Sequence, residues 1–355
     1  MRRLSCLAAA GFLAAAPVAK VEEGAWLPLA ESPALAQAQR LSQAGFEAYL
    51  PRLRAQAQAE GVSRATIERV FPALTFSART VELDRAQPGG TAGSSATPPF
   101  APYRARHLTP ALISRGRARY AENIDRLNVI GRRYGVPPGV LVAIWGKETS
   151  YGTVMGDFDL LNSLASLAYE GRRRELFTGE FIATLKMMDR GFPRERLKGS
   201  WAGATGQSQF LPSVYIRLAV DGDGDGRADI WGSRLDALAS IANYLKSAGW
   251  RPGLDWGAAV RVPAGFDRSR VANRLRAPRC PRVHERHSRW LTAAEWRRMG
   301  IASNLPDSAM ASLLEPDGPG QTAYLLTTNY RTILDYNCSN FYALAVGLLA
   351  DSVSR

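Results

Sequence analysis

Apolar positions along the chain follow a helical period over most of its length. Phe46–Ala57 and Ser63–Phe71 have helical spacing and are joined by Glu60-Gly61-Val62, which predicts a helical pair. Gln87–Pro102 is rich in Pro, Gly, Ser and Thr and reads as a linker. From Thr109 the helical pattern strengthens. Pro110 opens a helix carrying Ile113, Tyr120, Ile124, Leu127 and Ile130, and Gly135 stops it. Pro137-Pro138 opens the next, because proline is tolerated in a first turn. Val140 through Trp145 is apolar on every face, so this helix is predicted to be buried. It runs into Lys147-Glu148-Thr149-Ser150-Tyr151-Gly152. Further helices are predicted at Asn162–Ala168, Glu175–Asp189, Ser213–Ala219 and Asp236–Ser247, the last with Asp236 as N-cap and Gly249 as its stop.

After Trp250 the pattern changes. Ala258–Val262, Ala323–Thr327 and Thr332–Tyr336 read as short strands, with an arginine-rich stretch and a short helix, Ala293–Met299, between them. Phe341–Ala350 is a final apolar helix. The fold class is therefore mainly α, with an N-terminal helical part and a small α/β insertion. The division read from the pattern is 1–38, 39–102 (helical segment and linker), 103–250 (helical core), 251–335 (small mixed insertion) and 336–355 (a helix returning to the core).

The chain has 355 residues, 46% of them hydrophobic, which is ample for a large core. No stretch reaches the ~20 uninterrupted apolar residues of a membrane helix. Arg2 and Arg3 precede the apolar run Leu7–Val18, and small residues follow, a pattern that reads as a signal peptide. Ala34-Leu35-Ala36 offers a small-x-small cleavage site with Ala38 close by, and the exact bond stays open. Arg3 stands where a lipobox needs an apolar residue before Cys6, which argues against a lipid anchor. Export to the periplasm leaves two cysteines, Cys280 and Cys338. In an oxidising compartment they either pair or stay apart, and nothing in the sequence decides which.

The net charge is +13 and is carried almost entirely by arginine. A basic exported protein suits an anionic polymer, and the carboxylates of peptidoglycan qualify. Nucleic acid is the other polyanion, but the basic residues are spread along the chain and no nucleic-acid-binding motif is present.

Glu148 closes the apolar helix with no other acid between Val140 and Lys147. Apolar neighbours disfavour the charged carboxylate, and the negative end of a helix dipole acts in the same direction. Both raise the pKa, as a general acid near neutral pH requires. Lys147 is adjacent in sequence but points elsewhere on a helix, so it need not pair with Glu148.

Three segments in order carry a resemblance. Tyr134-Gly135-Val136-Pro137-Pro138 with Ala143-Ile144-Trp145-Gly146-Lys147-Glu148-Thr149-Ser150-Tyr151-Gly152 is the first. Ser200-Trp201-Ala202-Gly203-Ala204-Thr205-Gly206-Gln207-Ser208-Gln209-Phe210-Leu211-Pro212-Ser213 is the second, and Tyr336-Asn337 with Tyr342 is the third. Together they resemble the signatures of the lytic murein transglycosylase B family, and the likeness runs from about Phe46 to the C-terminus. The resemblance implies a lysozyme-like helical core with a helical domain and a small sheet-containing domain. It implies Glu148 as the catalytic acid/base, Ser200, Gln209 and Asn337 as polar residues lining the groove, and Tyr103, Tyr244, Tyr336 and Tyr342 as its aromatic residues. It implies cleavage of peptidoglycan between N-acetylmuramic acid and N-acetylglucosamine with closure of a 1,6-anhydro ring, and no cofactor for catalysis. A muramidase that uses water instead, and a non-catalytic wall-binding module, are the competing readings.

Asp221-Gly222-Asp223-Gly224-Asp225-Gly226-Arg227 reads like the start of an EF-hand, with acids at positions 1, 3 and 5, glycine at 6 and the Arg227 carbonyl at 7. Gly232 stands at position 12, where the bidentate glutamate belongs. The resemblance implies an extended loop whose last ligand is Asp236, holding a structural Ca2+. The competing reading is a glycine-rich turn with solvated acids.

Overall fold

The structure is a computed structural model that describes residues 41–87, 98–274, 276–277 and 279–355. The signal peptide expected at 1–38 lies outside the described residues. The described chain is mostly helical and falls into two compact units: residues 41–87 with 157–204, and residues 98–156 with 205–355. This grouping differs from the division read from the sequence. Residues 157–204, assigned there to the catalytic core, go with the N-terminal helices.

In chain order, the N-terminal unit begins with α1 (Gln43–Ala59), α2 (Arg64–Val70) and α3 (Ala78–Arg85). The other unit then contributes α4 (Phe100–His107), α5 (Pro110–Glu122), α6 (Ile124–Tyr134) and α7 (Pro138–Thr149). The chain returns to the N-terminal unit for β1 (Phe158–Asp159), α8 (Leu160–Glu170), α9 (Arg174–Asp189) and β2 (Lys198–Gly199). It then completes the C-terminal unit with α10 (Pro212–Leu218), α11 (Arg234–Ser247), β3 (Gly257–Val260), α12 (Pro281–His284), β4 (Leu291–Thr292), α13 (Ala293–Arg298), β5 (Met310–Leu314), β6 (Ala323–Thr327), α14 (Thr328–Tyr336) and α15 (Asn340–Val353).

In the N-terminal unit, Ser42, Ser63 and Ser77 each cap the helix that follows, accepting a backbone N–H with the side-chain oxygen. Helices α8 and α9 pack together, and α1 and α3 lie against α8. Phe46 and Phe76 each meet Tyr169 edge-on and lie tilted against one another. The carboxylate of Asp84, 1% exposed, is gripped by Arg172 and Arg173.

In the C-terminal unit α7 is central, with α5, α6, α11 and α15 packed on it. Leu141, Val142, Ala143, Ile144 and Trp145 are fully buried, as the all-round apolar pattern requires. Side chains of this kind each contribute about 1.5–3 kcal/mol on leaving water. The approach of α15 depends on Gly139, because a Cβ there would sit 2.9 Å from the Ala350 carbonyl oxygen. A four-stranded antiparallel sheet, in the order β3-β6-β5-β4, forms the insertion. It has its own core around Trp296, Ile301, Leu305, Ala311 and Leu325.

Three expectations are corrected. The helix read from Pro110 to Gly135 is two, broken at Asn123, whose backbone leaves the helical region. Thr332–Tyr336 is not a strand but the end of α14. Its β-branched Thr332 and Ile333 carry strand propensity, yet Tyr330, Ile333 and Leu334 bury one helical face, and packing overrides propensity. Asp236 is not the N-cap of α11. Ser233 caps it, and Asp236 lies inside the first turn. The pairing left open by the sequence is made: Cys280 and Cys338 form a disulfide with Cα atoms 5.7 Å apart.

Candidate active site

Glu148 is the penultimate residue of α7, and the local sequence explains its setting. Gly146, two residues earlier, has no room for a side chain, because a Cβ would meet the Tyr151 ring at 2.5 Å. Tyr151 folds back under the helix end, stacks edge-on against Trp145 and donates from its hydroxyl to the Leu112 carbonyl. That return forces Ser150 and Tyr151, neither of them glycine, into the left-handed region at φ 52° and 65°. Thr149 stitches the turn: its hydroxyl accepts the Gly152 N–H and donates to the Gln207 carbonyl, both at 3.0 Å.

Glu148 is half-buried, and Tyr342, Lys147, Tyr103 and Tyr336 are the polar and charged groups around its carboxyl. Burial pushes its pKa up to about 7, opposed by a hydrogen bond from Tyr342 and by the charge of Lys147. No acid is among the groups that set its charge state. Tyr342 Oη donates to Glu148 Oε1 at 2.5 Å. Tyr342 stands in the first turn of α15, which Ser339 caps. Burial drives the Tyr342 hydroxyl pKa well above its ordinary value, with the charge of Glu148 next in order, so the phenol stays a proton donor.

Tyr103 also faces Glu148: burial and the Glu148 charge push its pKa up to about 12. Its ring stacks on His107 and Phe100 and lies below the Lys147 ammonium. Lys147 is itself held down to about 8 by burial. Tyr336, at the end of α14, feels the Glu148 charge too, donates to the Ser208 carbonyl, and packs against Tyr244 with ring centroids 4.7 Å apart. Tyr244 in turn donates to the Asp335 carbonyl. Tyr103, Tyr336 and Tyr342 thus gather round Glu148, and Tyr244 supports Tyr336 from behind.

Gln209 sits in the turn 205–210 with left-handed backbone at φ 49°. Its amide donates to the Met155 and Gly206 carbonyls. Asn337, buried, ends α14 beside the disulfide. Ser200 belongs to the N-terminal unit, where its hydroxyl accepts the Ala204 N–H. Sequence reasoning passed over Gln207 and Thr149. Gln207 accepts from Trp145 Nε1 at 3.0 Å and donates to the Trp231 carbonyl, locking the 205–210 turn to α7. Both residues stand inside the quoted motifs, so the signal was present.

In the acidic loop, carboxylate oxygens of Asp221, Asp223 and Asp236 lie within 4.8 Å of one another. Asp221 accepts the Gly224 and Gly226 N–H groups, which lower its pKa. Asp236, with no exposed surface, accepts N–H from Gly222, Asp223 and Asp229, yet burial still raises its pKa. Because Ser233 caps α11, Asp236 has no competing duty as a cap. Asp225 bonds the Arg227 N–H and stands outside the converging group. Hard oxygens gathered on a burial-strained carboxylate fit a divalent cation such as Ca2+.

Over residues 45–351 the chain matches the transglycosylase SLT domain family. It is 35% identical over 278 residues to the membrane-bound lytic murein transglycosylase B of Escherichia coli (strain K12), across 74% of this chain and 71% of that protein. SltB3 of Pseudomonas aeruginosa, solved in complex with NAG-anhNAM-pentapeptide, is similar with a TM-score of 0.77 and 42% identity, over 87% of this chain and 79% of that one. The Escherichia coli lytic transglycosylase Slt35, solved in complex with calcium, is similar with a TM-score of 0.69 and 29% identity, over 88% of this chain and 93% of that one.

Proposed function

The chain belongs to the transglycosylase SLT family, and from that premise we propose that it cleaves the MurNAc–GlcNAc β-1,4 bond of peptidoglycan to give 1,6-anhydromuramyl ends, with Glu148 as acid and then base. It is a lytic transglycosylase of peptidoglycan. The observation that carries the finer reading is the Glu148 carboxyl, bonded by Tyr342 Oη and raised by burial to a pKa of about 7, with no second acid among the described residues that act on its charge. Most glycoside hydrolases need two carboxylates. A single one suffices when the nucleophile comes from the substrate.

In this reading Glu148 protonates the glycosidic oxygen as the bond to the muramyl C1 breaks. Once ionised, it accepts the proton of the muramyl C6 hydroxyl, which attacks C1 and closes the ring. The attack is intramolecular and gains from proximity. Tyr342 donates to the carboxylate and so favours the ionised half of the cycle. Tyr103 and Tyr336 are assigned to the sugar subsite, with Tyr244 packed behind Tyr336, and Gln209 and Asn337 to polar contacts with the glycan. Support for the anhydro product comes from SltB3, whose bound fragment contains an anhydro sugar.

The loop Asp221–Asp236 is assigned a structural Ca2+, held by the converging Asp221, Asp223 and Asp236, with Asp225 and the Arg227 carbonyl turning inward to complete the shell. Bound, it neutralises the clustered carboxylates, and it takes no part in the reaction. Export to the periplasm is assigned to residues 1–38, and the Cys280–Cys338 bond fits an oxidising compartment.

Mass spectrometry of muropeptides released from purified sacculi is the test. Anhydro products lack one water relative to hydrolysed ones. Products carrying that water would replace this reading with a muramidase.

A further inference from the structure

The hydrogen bond to Glu148 comes from the first turn of α15, and what fixes that turn lies outside the site. Asn340 is its first residue. The Asn340 Nδ2 donates to the Val283 carbonyl at 3.0 Å, which orients the amide and leaves Oδ1 facing His287 Nε2 at 2.7 Å and Tyr330 Oη at 3.1 Å. Because Oδ1 only accepts, His287 Nε2 carries the proton. The other ring nitrogen, Nδ1, then accepts from Ser312 Oγ at 3.4 Å. Tyr330 Oη also lies 3.0 Å from the Asn340 carbonyl oxygen. His287, Asn340, Tyr330 and Ser312 are all buried. The Cys280–Cys338 disulfide ties the same segment, Cys280–His287, to the residue before Ser339, the cap of α15.

We propose that His287 is a positioning residue for the transglycosylase reaction: through Asn340 it fixes the first turn of α15 and thereby the Tyr342–Glu148 hydrogen bond. The inference rests on Glu148 being the acid/base. Buried polar networks of this kind rigidify when every member is satisfied, and small misplacements near reacting groups cost rate. The charged and titratable groups around His287 are His284, Arg286, Arg331 and Tyr330. Burial, foremost, keeps the ring neutral down to about pH 4, so the Nε2 donor persists at neutral pH. Around Glu148 the groups are Tyr342, Lys147, Tyr103 and Tyr336.

The test is the pH dependence of sacculus lysis by the full chain. Tyr342 lowers the Glu148 pKa, so losing its bond raises that pKa and moves the alkaline limb upward. His287→Ala is expected to lower kcat about tenfold with little change in KM. It should also raise the alkaline limb by about half a unit, as Tyr342→Phe does directly. The double variant should shift the limb no further than Tyr342→Phe alone. His287→Gln, which keeps a neutral donor at Nε2, should restore both rate and limb. Additive shifts, an unmoved limb in His287→Ala, or failure of His287→Gln to rescue would overturn the proposal. Should His287→Ala not fold, Tyr330→Phe removes the second donor to Asn340 Oδ1 and is read in the same way. Retained lysis by Glu148→Gln is a separate result, and it overturns the assignment of Glu148 itself.

Discussion

Glu148 and Asp221 carry the same functional group in the same compact unit, and their surroundings drive them in opposite directions. Glu148 ends a buried helix, meets one side-chain donor, and is pushed up to about 7 by burial. Asp221 opens a glycine-rich loop, meets two backbone N–H groups, and is held below its ordinary range. Asp236 lies between them. It accepts three backbone N–H groups, but with no exposed surface its pKa still rises. Two backbone donors therefore outweigh the slight burial of Asp221, while burial outweighs one side-chain donor at Glu148 and three backbone donors at Asp236. The first setting makes a fixed negative charge suited to a cation. The second makes a group able to give and take a proton near neutral pH.

The sharpest way to break the comparison is to remove the proton. Glu148→Gln should lower turnover on sacculi by roughly 10²–10⁴-fold, the usual worth of a general acid–base, with an unchanged circular dichroism spectrum. Glu148→Asp, which withdraws the carboxyl by one methylene, should fall between. A loss of less than tenfold in Glu148→Gln would move the chemistry to another residue.

A third carboxylate extends the comparison into the N-terminal unit. Asp84 is as buried as Asp236, but two arginines hold it. Removing one member of a buried pair costs about 3–5 kcal/mol because the partner charges stay behind. Asp84→Asn is therefore expected to lower the urea midpoint strongly, with turnover per folded molecule far less affected. A drop below about 1 kcal/mol would mean that solvent already screens this pair.

How far these settings could be read without coordinates depended on the distance over which each is built. The burial of α7 was legible because a proline start and an apolar run on every face are local signals. The direction of the Glu148 shift followed from them. Its partner Tyr342 stands 194 residues away and was reachable only through the third motif. The Asn123 break is a local signal that the running periodicity hides, since its amide bonds the Arg119 carbonyl, whereas the helical state of Thr332–Tyr336 is decided by packing against local preference. Aspartate is a good cap, so the local signal favours Asp236, but Ser233 three residues earlier is another and fills that role. The His287–Asn340–Tyr330 network has no spacing to recognise: it joins α14, α15 and the insertion, and no periodicity connects them.

The loop offers an intermediate effect. If Asp221, Asp223 and Asp236 hold Ca2+, a cation at a hundred times its dissociation constant stabilises the fold by about 2.7 kcal/mol. Chelation should then lower the melting temperature by several degrees, and Asp223→Asn should abolish most of that difference. An identical melting temperature with and without Ca2+ would leave the loop as a solvated turn.

The smallest expected effect separates the two carboxyls by sign. The folded Glu148 pKa, about 7, lies above its ordinary 4.5, so the native state binds the extra proton between those values. Its stabilising contribution is complete below about pH 4.5 and is lost as the pH rises through 7. At pH 8 the wild type therefore carries a buried carboxylate whose cost an amide does not share. Glu148→Gln should be more stable than wild type at pH 8 by roughly 2 kcal/mol, a difference that fades at pH 5. Asp221 has the opposite sign. Its folded pKa is lowered, so its contribution is present above its ordinary 3.8 and is lost as the pH falls. With Ca2+ chelated, so that cation binding does not enter, Asp221→Asn should weaken the fold at pH 8, and progressively less toward pH 3. Two carboxyl-to-amide changes in one unit should thus move the urea midpoint in opposite directions at the same pH. Movement in the same direction would mean that size and packing, not proton affinity, set these two positions apart.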